Sequence, residues 1–154
     1  MRWLALMFWI GLCFGVAAVG GRWTTPEVPT WYGTLVRPAF APPNSIFGPV
    51  WSVLYLLIAL AAWRVGLVAA SPLRTWGLVL FAVQLVLNLA WSWIFFHQHA
   101  IGAAAVEIAV LWVAIGATTL LFARVAPVAA WMMAPYWAWV TFATVLNAAY
   151  WRLN

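Results

Sequence analysis

Short polar connections cut the chain into apolar runs of about twenty residues, the length that spans a bilayer, and the runs carry almost no charge. That feature removes most folds. A soluble domain needs far more polar surface than a chain of 154 residues that is 68% hydrophobic and 6% charged can supply. The surrounding solvent must therefore be lipid. In lipid the backbone closes its own hydrogen bonds either as helices or as a closed barrel. The runs lack the period-two alternation of barrel strands, so helices are expected. The fold class is all-α: a polytopic membrane protein, a five-transmembrane-helix bundle forming one domain over residues 1–154. Helix start and stop signals place the spans at about 3–21, 45–66, 75–96, 100–123 and 127–151. Asn44 or Ser45 is expected to cap the second span, and Pro49 falls in its first turn.

The first twenty residues have the outline of a signal peptide, with Arg2, an apolar core and Ala17-Ala18-Val19-Gly20. They are expected to remain as a mature helix, because the run can span and the rest of the chain is equally apolar. Every basic residue besides histidine is an arginine: Arg2, Arg64, Arg74 and Arg124 on one side, Arg22, Arg37 and Arg152 on the other. Each lies near a span end, where a long side chain reaches the headgroups. There is no contiguous basic stripe, so nucleic-acid binding is not expected. Cys13 is the only cysteine, and His97 and His99 are too few for a structural zinc site, so no metal is expected.

The loop at about 23–43 is the one long segment that is not continuously apolar. It holds Trp31, Tyr32, Arg37 and the prolines Pro38, Pro42 and Pro43, a stiff aromatic stretch suited to covering something. Polar groups within the spans are the other anomalies, since each must find a partner. Gln84, Asn88, Trp91 and Phe95 share a face of the third span. Tyr136, Trp139, Ala143, Asn147 and Tyr150 form a similar stripe on the fifth, which also contains Pro135 and so is expected to kink. Trp51 and Tyr55 stand above Ala59 and Ala62 on the second. Two readings are open for these stripes: polar glue between helices, or the lining of a ligand site. Glu107, the one acid within a span, is expected to be protonated or hydrogen-bonded inside the bundle. Gly11 and Gly15 form a small-residue pattern that lets helices approach. Leu146, Tyr150 and Arg152 fit a degenerate sterol-contact pattern.

The run WYGTLVRPAFAPPNSIFGPVWSVLY, from Trp31 to Tyr55, resembles the WYxxLxKPxxxPPxxxFxxVWxxLY signature of the translocator protein family. This is the TspO/MBR family of bacterial tryptophan-rich sensory proteins and peripheral-type benzodiazepine receptors. Gln84-x3-Asn88-x2-Trp91-x3-Phe95-Phe96 resembles that family's third-helix pattern. Pro135-Tyr136-x2-Trp139, followed by Phe142-Ala143-Thr144-x-Leu146-Asn147, resembles its fifth. The resemblance implies a five-helix multi-pass protein of a bacterial membrane, commonly a homodimer. Its cavity, closed by the loop after the first helix, would bind porphyrins such as protoporphyrin IX and haem, or other flat hydrophobic molecules. Sterol from the surrounding lipid is a further implied partner. No cofactor is obligatory; porphyrin or haem would be a ligand. Carried over by residue, the implied pocket is Tyr32, Trp51, Tyr55, Asn88, Trp91, Trp139 and Ala143. Some members break down porphyrins in light, and Trp51 and Trp139 stand at the implicated positions. Arg37 replaces the family's usual lysine, keeping a cation for a propionate. Ala148 and Ala149 are smaller than their counterparts in animal members. Sensor, photo-oxidative enzyme and porphyrin or sterol carrier are the three functions that this resemblance admits.

The residues lead to the same expectation independently. A porphyrin is a wide apolar disc with anionic edges, which calls for indole and phenol faces, a few donors and a cation at the rim. The three stripes supply the first two and Arg37 the last.

Overall fold

In the computed structural model, which describes residues 2–154, every long apolar run is helical. The order is α1 (Arg2–Glu27), the short α2 (Trp31–Thr34), α3 (Phe47–Gly66), α4 (Pro72–Ser92), α5 (Ile101–Val125) and α6 (Pro127–Leu153). α1, α3 with the turn before it, α4 with the turn after it, and α5 are long and apolar enough to cross a membrane. α6 is as long, at 27 residues, or about 40 Å at the α-helical rise. Its composition is diluted by Tyr136, Asn147 and Tyr150, all of which it turns inward.

Around the bundle the helices follow the order α1, α3, α6, α5, α4. α3 and α4 are joined by a short connection yet touch each other little, because α1 stands between them. Trp9 of α1 meets Phe81 of α4 edge-on at 5.6 Å, beside the fully buried Cys13. The seam between α1 and α4 is the loosest of the five.

Several boundaries depart from expectation. α1 continues to Glu27, past the predicted end near residue 21. Thr24 Oγ1 donates to the Gly20 carbonyl at 3.0 Å and so fits within a helical turn. Pro26 and Pro29 then bring the helix to its close, so the lid covers 28–46 rather than 23–43. Neither Asn44 nor Ser45 caps α3 with its side chain. A 3₁₀ turn over Asn44–Ile46 intervenes after the extended Pro43, and Ile46 occupies the cap position. Pro49 does fall in the first turn of α3. α4 starts earlier than residue 75, because Ser71 Oγ accepts from the Arg74 N–H at 3.2 Å and Pro72 occupies the first helical position. α5 takes Arg124 into its last turn, leaving Ala126 as the whole connection to α6. α6 runs through Pro135 without interruption, losing only the bond to the Trp131 carbonyl that a proline cannot make.

α4 ends in a wide π turn over Trp93–His97, closed by the Gln98 N–H on the Trp93 carbonyl at 3.0 Å. The widened turn brings the consecutive Phe95 and Phe96 both inside. His99 then reverses the chain in a left-handed conformation, φ 55°.

The α5–α6 seam is close because ring edges replace absent side chains. A Cβ on Gly116 would stand 2.7 Å from the Trp137 ring, and one on Gly102 2.7 Å from Trp151. Glu107 lies on α5 with both carboxyl oxygens buried and without a partner, so of the two expectations, protonated or hydrogen-bonded, the hydrogen bond is not made. The residues one turn away, Ala103, Ala104, Val110 and Leu111, offer no donor. Gly11 and Gly15 face outward with nothing within 4 Å.

Candidate functional site

Between α1, α3, α4 and α6, under the lid, the bundle holds a cavity of about 480 Å³. Its walls carry Trp51 and Tyr55 from α3, Trp91 from α4, Phe95 from the π turn, and Trp139, Ala143 and Asn147 from α6. Tyr32 covers one end. The spacing that puts these residues on single faces of their helices is what makes the faces converge. Trp51 and Tyr55 are tilted neighbours at 5.5 Å, Trp91 stacks on Phe95 at 5.1 Å, and Phe47 meets Trp139 edge-on at 6.0 Å. Aromatic faces are thus presented from three sides.

At the floor, four polar side chains form one directed chain. The Tyr55 hydroxyl donates to Asn88 Oδ1 at 2.6 Å, Asn88 Nδ2 donates to the Tyr136 hydroxyl at 3.0 Å, and Tyr136 donates to Gln84 Oε1 at 2.7 Å. Higher up, Trp91 Nε1 donates to Asn147 Oδ1 at 2.9 Å, and Asn147 Nδ2 donates to the Ile101 carbonyl at 3.0 Å. The two readings of the polar stripes therefore apply to different residues. Gln84 and Tyr136 are spent on helix-to-helix bonds behind the cavity wall. Asn88 belongs to that chain and also borders the cavity. Ala59 and Ala62 lie fully buried in the core below it and do not line it.

The lid is held at several points. The Asn154 side chain pairs with the Val36 backbone, accepting from its N–H at 2.9 Å and donating to its carbonyl at 3.2 Å. Trp31 stacks on His99 at 4.0 Å, and His99 Nε2 lies 2.9 Å from Glu27 Oε2. This tie joins the end of α1, the lid helix and the α4–α5 turn. Tyr32 is buried among Phe95, Phe96 and Tyr150. Burial pushes its hydroxyl upward from the ordinary phenol range, so it stays neutral.

Trp31 and Arg37 lie outside the cavity lining. Trp31 is occupied by His99 and Phe95. The Arg37 guanidinium, expected as a rim cation, folds back on its own loop, donating to the Pro42 carbonyl at 2.7 Å and to Asn44 Oδ1 at 3.4 Å. Proline carbonyls without ladder partners make a better local target than open space. Leu146 and Tyr150 of the sterol pattern turn into the cavity wall while Arg152 is exposed, so the three do not share one outward surface.

The sequence reading missed the α1 wall: Phe14, Ala17, Gly20, Gly21, Thr24 and Thr25. The signal was the cluster of small residues from Ala17 to Gly21, which removes side chains along one side of the helix. Gly20 approaches Ser92 so closely that a Cβ would lie 3.3 Å from its hydroxyl.

An all-helical membrane bundle with an aromatic cavity under a proline-rich lid is the class of protein defined here. The TspO/MBR family model matches residues 9–152. The tryptophan-rich protein TspO of Chlorobaculum tepidum is 40% identical, the match covering 98% of this chain and 96% of the relative. The human translocator protein is 37% identical over 88% of this chain and 82% of its own length. The tryptophan-rich sensory protein of Cereibacter sphaeroides is 32% identical over 100% of this chain and 94% of its own. The chain belongs to the TspO/MBR family and is an integral membrane protein.

Proposed function

We propose that the chain is a membrane binding and sensory module for porphyrins and similar flat hydrophobic molecules, linked to tetrapyrrole handling. The observation that carries this reading is the convergence of Trp51, Trp91 and Trp139 on one cavity of about 480 Å³. Indole faces attract a large conjugated ring through dispersion and quadrupole contacts, and burying such a ring releases much ordered water. The volume falls within the range of small-molecule sites, and polar groups are few and placed, as such sites require. The name of one relative, tryptophan-rich sensory protein, supports the sensory part of the reading.

Protoporphyrin IX should quench the tryptophan fluorescence of the detergent-solubilised protein saturably. Trp51→Phe and Trp139→Phe should each weaken binding by about threefold to tenfold, the worth of one aromatic contact. Unchanged affinity in both variants would remove the reading.

A further inference from the structure

We propose that this cavity selects uncharged ligands, with the Tyr150 hydroxyl as the donor that meets an acceptor atom on the ligand near the lid. The inference rests on the ligand-binding reading above and narrows the class of molecule it admits.

Among the described residues no lining side chain is an arginine, lysine, histidine, aspartate or glutamate. The only cation of the lid, Arg37, is spent on the Pro42 carbonyl and on Asn44, and does not border the cavity. A carboxylate brought inside would lose its water and gain no counter-charge, a loss that neutral donors do not make good.

What the cavity offers instead is hydrogen-bond donation at two poles. Tyr150 is 1% exposed, lines the cavity, and its buried hydroxyl makes no well-formed hydrogen bond, with the Tyr32 ring packed beside it at 5.2 Å. A buried hydroxyl left unpaired is unfavourable, and a ligand acceptor would relieve it. Its neighbour Asn147 already uses its oxygen and one amide hydrogen to hold Trp91 and the Ile101 carbonyl, which leaves one amide hydrogen. At the floor, Asn88 uses its oxygen and one amide hydrogen within the polar chain, leaving the second hydrogen for the cavity. A flat molecule with neutral acceptors, such as ring nitrogens, ketones or esters, fits both poles. A tetrapyrrole diacid would bind with its acid groups left at the mouth or protonated.

The test is a fluorescence titration at pH 7.5 with two acid–ester pairs: protoporphyrin IX with its dimethyl ester, and 1-pyrenebutyrate with its methyl ester. An Ala143→Trp variant, whose cavity is filled, supplies the signal from ligand dissolved in detergent alone. Each ester should bind about tenfold or more tightly than its acid, and Tyr150→Phe should weaken ester binding by about threefold to tenfold, the worth of one hydrogen bond. Tyr150→Phe should leave the melting temperature of the ligand-free protein nearly unchanged, which separates a ligand contact from a general loosening of the fold. Ester preference in the pyrene pair with no binding of either porphyrin would retain the inference and drop the tetrapyrrole reading. An acid that binds as tightly as its ester, Tyr150→Phe without effect on either ester, or no specific binding by any probe would overturn the inference.

Discussion

The same residue type is used in two opposite ways on the two sides of α6. Toward α5, Trp137 and Trp151 lie against Gly116 and Gly102, and the ring edges occupy the space where side chains would stand. Toward α1 and α3, Trp139 faces Trp51 and Trp91 across an open volume of about 480 Å³. Each helix has a comparable supply of apolar residues. What differs is whether the facing element offers a glycine notch or another ring. A ring against a notch closes the contact at that point. Rings against rings, with the small Ala17, Gly20 and Gly21 of α1 opposite them in place of filling side chains, leave a hollow. Function follows from the side that does not close.

That contrast can be broken from either side. The largest effect is expected on the hollow side. Ala143→Trp puts an indole into the cavity and should abolish saturable porphyrin quenching, a loss of at least about a hundredfold, since overlapping volumes cannot be relieved in a packed wall. Its melting temperature in detergent should remain close to that of the parent chain. A filled cavity that still binds would show that ligand sits elsewhere. On the closed side the pattern inverts. Gly116→Val forces a side chain against the Trp137 ring and should destabilise the protein by about 1–3 kcal/mol, measured by thermal unfolding in detergent. Ligand affinity in the surviving fold should be unchanged, and an affinity loss larger than the stability loss would mean the two sides are coupled. The smallest effect belongs to the lid. Asn154→Ala removes both bonds to Val36 and should speed ligand release by about fivefold, in line with about 1 kcal/mol for a partly exposed pair of hydrogen bonds. Stopped-flow dissociation that matches the parent chain would show that the lid opens without breaking that pair.

Much of the architecture was legible from residues alone, because lipid leaves the backbone so few options. The number and approximate place of the long helices followed from run length and charge. The stripes on α3, α4 and α6 followed from helical spacing, and their aromatic members do converge on the cavity. The ends of the helices were less legible. In the extra turns of α1 Thr24 bonds back to Gly20, and before α3 the extended Pro43 leads into a 3₁₀ turn. Residue type alone does not fix either. Arg37 shows the same limit. A cation in an aromatic loop suggests a rim charge, but three-dimensional neighbours decide whether it meets a ligand or its own carbonyls. Tyr150, which fell both in the α6 stripe and in the sterol pattern, turns inward with the stripe.

By itself, then, the sequence determined that the chain is a helical membrane bundle and which helix faces must turn inward, because apolar run length and 3.6-residue periodicity are local properties. Only the tertiary structure decided which inward faces would meet and close and which would enclose a cavity. That choice depends on how side chains from distant helices fill shared space. α1 shows this most plainly: its small residues become a cavity wall only where α3, α4 and α6 stand opposite.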